Sequence, residues 1–583
     1  MNYITTVKEI FKFMRYLKPF YKFQFSIMFV LLISTILGLI NPLVYKMVVD
    51  DFFIGKNIEI LYFAIAIQII VFIFTKILSI SKEYLSAYMG NFISMTMRKN
   101  AFDKIMKAEA SEMNKINIGE IFVTFDNDIL AIENAITGTI INLILTLFNF
   151  ITNTLVMFLL SWKYGIVVFL VIPFQLINNN IWIKHVMEKN KAIRKSVSEM
   201  FEFVNEAFSN MKYLKLLTKE NFARRVFFKR NSNMVIKIFD SLKISWITGT
   251  ISEVIGLGDS IFLLIVGGGL IYKGEITLGT YMALMSYSGT AKGSFMSLLN
   301  FNINMAPVMI SIERLEKLLQ LSQDNLKGEK PKEFSGDIEL KNLDFYYEEN
   351  NYILKEFELK IKRGEKLALI GESGSGKSTI INLIMGLYNP INGEIRVNGY
   401  ELRELDKRYF RKKIGIVSQD SFFFSDNIRN NLLLGDKAKD EEIMRVCKIC
   451  QIDKFINDSP NGLETLLEFG GTNLSGGQRQ RLSIARMLLR QPEIIILDEA
   501  TSALDNITEA CILKSLEEEL KTKTVITIAH RLSTIESSDR IIVLKDGVIV
   551  EEGTHEILLE KRGDYYNLQK LRSEDKANDE NSA

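Results

Sequence analysis

Cysteine is scarce: Cys447, Cys450 and Cys511 are the only three in 583 residues. No cysteine nucleophile precedes position 447, so cleavage of a leader peptide by this chain is not expected, although a peptide already processed stays open as cargo. The C-K-I-C spacing lacks a second ligand pair and a neighbouring histidine, which argues for reduced cytosolic thiols rather than zinc. Net charge is also nearly absent. With 71 basic and 69 acidic residues the balance is +2, and no global field points to nucleic acid as partner. No signal-peptide cleavage pattern follows the basic start. The most informative shortage is of charge over long stretches: residues 24–45, 60–75, 134–162, 164–183 and 260–272 contain none.

What fills those stretches is apolar. Hydrophobic residues make up 48% of a chain that still carries 24% charge, and the mean hydropathy is +0.12. About 20 apolar residues cross a bilayer. A sixth span fits from residue 276, is interrupted by Lys292 and continues to 312. The sequence thus predicts a multidomain membrane protein whose all-α part, 1–319, has six spans near 23–46, 59–82, 134–162, 164–184, 244–272 and 276–312. Short connections fall at Lys163 and at 272–275, long ones at 76–133 and 184–243. The second long connection carries Lys184, Lys189, Lys191, Arg194, Lys195, Lys212, Lys215, Arg224, Arg225 and Arg230, which places the long connections and both termini in the cytoplasm. Periodic apolar residues in those connections suggest that the membrane helices continue beyond the bilayer. Residues 8–22 fit an amphipathic helix on the inner surface. A polar linker, 320–336, separates this half from 337–570, and the polar tail 571–583 is expected to be disordered.

The second half carries phosphate chemistry. GESGSGKST, at 371–379, lies between the apolar run 366–370 and the helix-compatible segment 380–387, the strand–loop–helix context that a P-loop requires. Gly371, Gly374 and Gly376 allow a tight turn with N–H groups aimed at phosphate, helped by the helix N-terminus. Glu372, Ser373, Ser375 and Thr379 complete the loop, Lys377 reaches the outer phosphates, and Ser378 is placed to hold Mg²⁺ beside ATP.

LSGGQ at 474–478, followed by RQR, resembles the signature of ATP-binding-cassette proteins, and the resemblance extends from about residue 338 to 566. It implies that Ser475, Gly476, Gly477 and Gln478 close on ATP held by another domain. In IIILDEATSALD, 494–505, it implies Asp498 as metal residue, Glu499 as the group that polarises the attacking water, and a D-loop ending at Asp505. It further implies His530 as the switch histidine contacting the γ-phosphate, Gln419 as the Q-loop residue that also serves the metal, and Tyr347 as the aromatic stacked on adenine. Singly, a DE pair at a strand end is commonplace and a lone histidine is usually structural. The ordered set carries the identification.

The resemblance implies an α/β P-loop ABC ATPase domain with an antiparallel β subdomain and an α-helical signature subdomain. Strands around 338–345 and the Asn–Gly pairs at 392–393 and 398–399 suit the antiparallel part. Fusion in the order membrane-then-ATPase favours the exporter type, whose coupling helices would lie near 110–119 and 208–217. One Walker loop and one signature per chain imply a homodimer, or a heterodimer with a second half-transporter. One departure stands in TLLEFGG, 465–471: Phe469 occupies the place of an expected acid, with Glu468 adjacent.

The expected function is therefore ATP-hydrolysis-driven export of a small amphiphile, lipid or peptide by alternating access across the plasma membrane of a bacterium, with the ATPase domain cytoplasmic and no nucleic acid involved. An uptake system on the exporter fold and a non-transporting, toxin-sensing immunity ATPase are the alternatives. Glu253, Asp259 and Lys292 are charges inside spans, which usually face a cavity or a partner. Counting depth from the turn at 273–274 pairs Glu253 with Lys292 and leaves Asp259 as a negative point for cationic or amide-rich cargo.

Overall fold

The computed structural model describes residues 21–113, 116, 118–334, 336–347, 351–419, 421–498, 506–528 and 535–570. It contains two compact units: Met1–Phe102 with Ile118–Leu319, and Asp103–Asn117 with Gln320–Ala583.

Among the described residues, the first unit has six long helical stretches. The first is Tyr21–Ile54, divided into α1, Tyr21–Gly38, and α2, Ile40–Met47, before its last turns. Then come α3, Ile58–Met106; α4, Ile118–Leu160; α5, Trp162–Ser209; the short α6, Met211–Leu216; α7, Glu220–Tyr272; and α8, Leu278–Leu319. Among the described residues, Tyr21–Ile54, α3, α4 and α7 are long and apolar enough to cross a membrane. In α5 the apolar part is shorter, Trp162–Asn178, and α8 carries Lys292 near its middle.

Two clusters of buried side chains hold these helices together. One gathers Ile27, Met89, Ile93, Ile129, Met305 and Ile312, the other Met157, Tyr164, Leu263, Tyr281 and Tyr287. At one end, the Asp50 carboxylate accepts from Thr277 Oγ1 at 2.5 Å and from the Gly279 amide at 2.8 Å, which satisfies a free N–H in the first turn of α8. Lys163 and Glu275 meet at the same end, 2.5 Å apart. The two short connections and the end of the first stretch are thereby gathered together.

The intramembrane pair differs from the depth count. Lys292 bonds to the buried carboxylate of Asp259, not to Glu253. The reason is helix face. Six residues separate the two acids, a rotation of about 240°. Asp259 shares the buried stripe of α7 with Leu263, Gly267 and Leu270, whereas Glu253 lies on an exposed face with no polar partner among the described residues. Asp259 is therefore not the uncommitted negative point, and Glu253 is.

Among the described residues, the second unit has two sheets. β1, Ile338–Tyr346; β2, Tyr352–Ile361; β4, Asn392–Val397; and β5, Tyr400–Glu401 form an antiparallel sheet in the order β2-β1-β4-β5. Of the two Asn–Gly pairs, Asn398–Gly399 makes the β4–β5 hairpin turn with φ of 57° and 80°, while Asn392–Gly393 opens β4. The second sheet, in the order β10-β9-β3-β8-β7-β6, uses β3, Lys366–Gly371; β6, Ile414–Val417; β7, Ile494–Asp498; β8, Thr524–Ile528; β9, Arg540–Lys545; and β10, Val548–Gly553. The five strands from β9 to β6 run parallel, and their core positions are near-continuous Ile, Leu and Val, as strands buried on both faces require.

Segment 103–117 is continuous with α3 yet belongs to this unit. The Glu109 amide donates to Ser322 O and the Asp324 amide to Lys107 O, both at 3.0 Å, so the segment pairs with the chain that follows α8. The Asp324 side chain, 9% exposed, takes a two-pronged bond from Arg411, at 2.5 and 3.3 Å, with Lys407 Nζ 3.7 Å away. Both cations stand on one short helix, Lys407–Lys412. Burial holds the Lys407 ammonium below the usual lysine range, and Asp324 opposes that shift. Asp324→Ala would strand this cation, and we expect a loss of about 3 kcal/mol in unfolding free energy, read by denaturant unfolding of the full chain in detergent.

Candidate functional site

The phosphate loop is fixed at both ends by burial. Leu367, Ala368, Leu369 and Ile370 of β3 are inaccessible to solvent. The following helix, α9, Lys377–Ile384, packs Ile380, Ile381, Leu383 and Ile384 into the same core. Between them the chain must turn through left-handed backbone, with φ of 84° at Gly374 and 103° at Gly376, conformations open to glycine at little cost. Gly376 is the N-cap of α9, so unpaired amides of the first turn face the loop and suit an anion. Lys377 is buried, and its Nζ donates to Gly371 O at 2.8 Å and Glu372 O at 2.7 Å, so the ammonium is held in the loop's mouth. Ser378 and Thr379 follow in the first turn, and Ser375 is buried.

A second support escaped the sequence reading. The turn between β9 and β10 is Asp546–Gly547, with φ of 47° and 78°, and its Gly547 amide donates to Ser375 O at 3.3 Å. A side chain at Gly547 would meet Ile353 O at 1.9 Å. The Asp–Gly pair is itself a hairpin signal and could have revealed the turn.

Tyr347 stands beside α9. Its hydroxyl accepts from Asn382 Nδ2 at 3.3 Å and lies 3.5 Å from Thr379 Oγ1, and its ring meets Phe345 and Tyr388 edge-on at 4.9 and 5.1 Å. The ring stays half-exposed. Asn382 and Tyr388 were not singled out from sequence.

Strand register brings Asp498 to the same edge. Asp498 pairs with Ile528 of β8, and Ile528 pairs with Leu369 of β3. Asp498 therefore sits two strands, about 10 Å, from the end of β3, at the carboxyl ends where open α/β sheets bind ligands. Gln419 is exposed two residues beyond β6, the neighbour of β7. Glu499, Asp505 and His530 lie outside the described residues.

The signature lies elsewhere in the unit. Ser475 caps α10, Gly476–Leu489, by a capping box: its Oγ accepts from the Gln478 amide at 3.2 Å, and its own amide donates to Gln478 Oε1 at 2.8 Å. Gly476 and Gly477 form the first turn. This helix packs Leu482, Ile484 and Met487 into a core with Ile428, Val446 and Ile512, separate from the core under the phosphate loop. Cys447 and Cys450 are buried in that second core; burial pushes the Cys447 thiol up to about 12 and Cys450 higher still. Neither is poised for redox chemistry. Phe469 is 74% exposed, and Phe422 lies 6.0 Å from it and 4.9 Å from Phe424. Where an acid was expected, the surface is aromatic.

Comparison with known proteins bears on both halves. The ABC transporter family profile matches residues 354–502, and that of the ABC transporter transmembrane region matches 25–295. The chain is 31% identical over 572 residues to the ATP-dependent lipid A-core flippase of Desulfotalea psychrophila, covering 97% of this chain and 100% of that protein. It is 30% identical over 576 residues to a Staphylococcus aureus protein named for multidrug export, covering 96% and 99%. A bacterial Atm1-family ABC exporter with ATP bound shares the fold, with a TM-score of 0.82 at 21% identity over 95% of this chain and 98% of that one. With the membrane helices and the ATPase fold joined in one polypeptide, the chain belongs to the ABC transporters, as an exporter-type member that hydrolyses ATP.

Proposed function

We propose that two copies of this chain export an amphiphilic molecule, with ATP bound between the phosphate loop of one copy and the signature of the other. The observation that carries this reading is the division of the two motifs between separate cores within one ATPase unit. In the proposed pair, ATP phosphates lie against Lys377 and the loop amides on one side and Ser475 and Gly477 on the other. Closure over ATP then has a stability that the empty pair lacks. Glu499 and His530 orient the attacking water, and hydrolysis removes the ligand that bridges the copies. Ser378, Gln419 and Asp498 offer only oxygen atoms, a donor set that suits Mg²⁺, and these residues would hold it. The ion, when bound, neutralises charge developing on the phosphates.

We place six spans in the plasma membrane, with both termini and the ATPase unit cytoplasmic. The clustering of the short connections through Asp50, Thr277, Lys163 and Glu275 supports this, because the basic long connections then share the opposite end. The short helices at Ala110–Met113 and α6 are the proposed coupling elements.

Cargo is proposed to be a cationic amphiphile or lipid. An exposed carboxylate at membrane depth is too costly to face lipid, so Glu253 lines a watery path or meets a partner. Two relatives are named for lipid A-core flipping and multidrug export, both amphiphile traffic. Inverted vesicles should accumulate a cationic amphiphilic dye when ATP is added outside, and outward loss under the same conditions would refute export. Glu253→Gln should weaken the dye's stimulation of ATPase about tenfold, as expected for one partly screened charge pair. An unchanged response would remove Glu253 from the path.

A further inference from the structure

We propose that the break in the first helical stretch, together with α4 and α8, forms a site for a neutral, hydroxyl-bearing headgroup of the cargo. This rests on the export reading and adds a second, uncharged recognition element to the amphiphile proposed there, apart from the charge that Glu253 meets. The cavity measures about 320 Å³ and is lined by Ser34, Gly38, Asn41, Asn149, Asn153 and Ser286, among others. That volume falls within the range of small-molecule sites, about 300–1,000 Å³.

Backbone chemistry makes the site. Pro42 has no N–H, so the Gly38 carbonyl lacks its usual helical donor, and α1 ends there. The next carbonyl, of Leu39, accepts from Tyr287 Oη at 2.5 Å. Irregular backbone at membrane depth persists where it borders a cavity, as Gly38 and Leu39 do here.

Side-chain chemistry points to the ligand. Among the described residues, the carboxamides of Asn41 and Asn149 and the hydroxyls of Ser34 and Ser286 make no hydrogen bond within the chain. Asn153, itself 5% exposed, uses Nδ2 on Asn149 O at 2.8 Å and leaves its carbonyl oxygen available. Each carboxamide offers both donor and acceptor, which matches hydroxyl groups that also do both. No lining residue is ionisable, so the site offers no counter-charge and selects a neutral group. Three asparagines within predominantly apolar helical segments are expensive in lipid unless something pairs with them.

The test uses the full chain in nanodiscs and two probes with the same tail, octyl glucoside below its solubilising concentration and octylamine, with ATPase stimulation as readout. Asn41→Leu/Asn149→Leu should raise the half-maximal concentration of octyl glucoside at least about tenfold, for two lost hydrogen bonds, and leave basal ATPase and the octylamine response unchanged. Ser34→Ala/Ser286→Ala, a milder change, should shift octyl glucoside about threefold in the same direction if the double leucine variant fails to fold. Equal octyl glucoside responses in wild type and variants, or none in a wild type that still responds to octylamine, would overturn the site alone. Failure of both probes together with failure of vesicle uptake would instead overturn the export reading.

Discussion

Glu499→Gln is expected to keep ATP bound and to lower turnover by about 10²- to 10⁴-fold, the usual worth of a positioned general base. Glu499 follows the last residue of β7, and Asp498 at that end stands in register with the β8 and β3 ends beside the phosphate loop. Glutamine keeps its size and hydrogen bonding but cannot take a proton, so water is held and not activated. The closed pair should then persist on ATP. Hydrolysis and retained nucleotide, measured on the same purified sample, check this together. Steady hydrolysis would remove Glu499 from the base role.

Lys377→Ala should act at an earlier step. The ammonium is already desolvated and held by two carbonyls, so it is organised before nucleotide arrives. A charged hydrogen bond contributes about 1.5–3 kcal/mol, and its loss corresponds to ATP affinity about 10- to 100-fold weaker. Binding of a fluorescent ATP analogue checks the value. Full affinity in the alanine variant would show that the backbone amides alone hold the phosphates.

How much of this was legible in sequence depended on whether the determining contact is local. GESGSGKST between an apolar strand and an apolar helix defines its own geometry, because neighbours in sequence supply both anchors. The signature's capping box is likewise local, Ser475 to Gln478. The partner of Lys292 was not legible: depth along a helix can be counted, but the face presented to a neighbour depends on packing, and Asp259 took the place assigned to Glu253. The attachment of segment 103–117 to the ATPase unit is carried by main-chain bonds between Lys107, Glu109, Ser322 and Asp324, which leave no trace in residue type. Phe469 was visible as a departure, yet only the fold gathers it with Phe422 and Phe424.

The central claim is that each working site is shared by two chains. Chains carrying Lys377→Ala and chains carrying Ser475→Arg should each be inactive alone. Mixed and reassembled, half of the dimers contain one of each, and such a dimer has one intact site, made from the loop of the Ser475→Arg chain and the signature of the Lys377→Ala chain. The account predicts recovery to about a quarter of wild-type ATPase, the share set by random two-fold pairing. No recovery from two folded, mixing proteins, or full activity of the Ser475→Arg chain by itself, would contradict it.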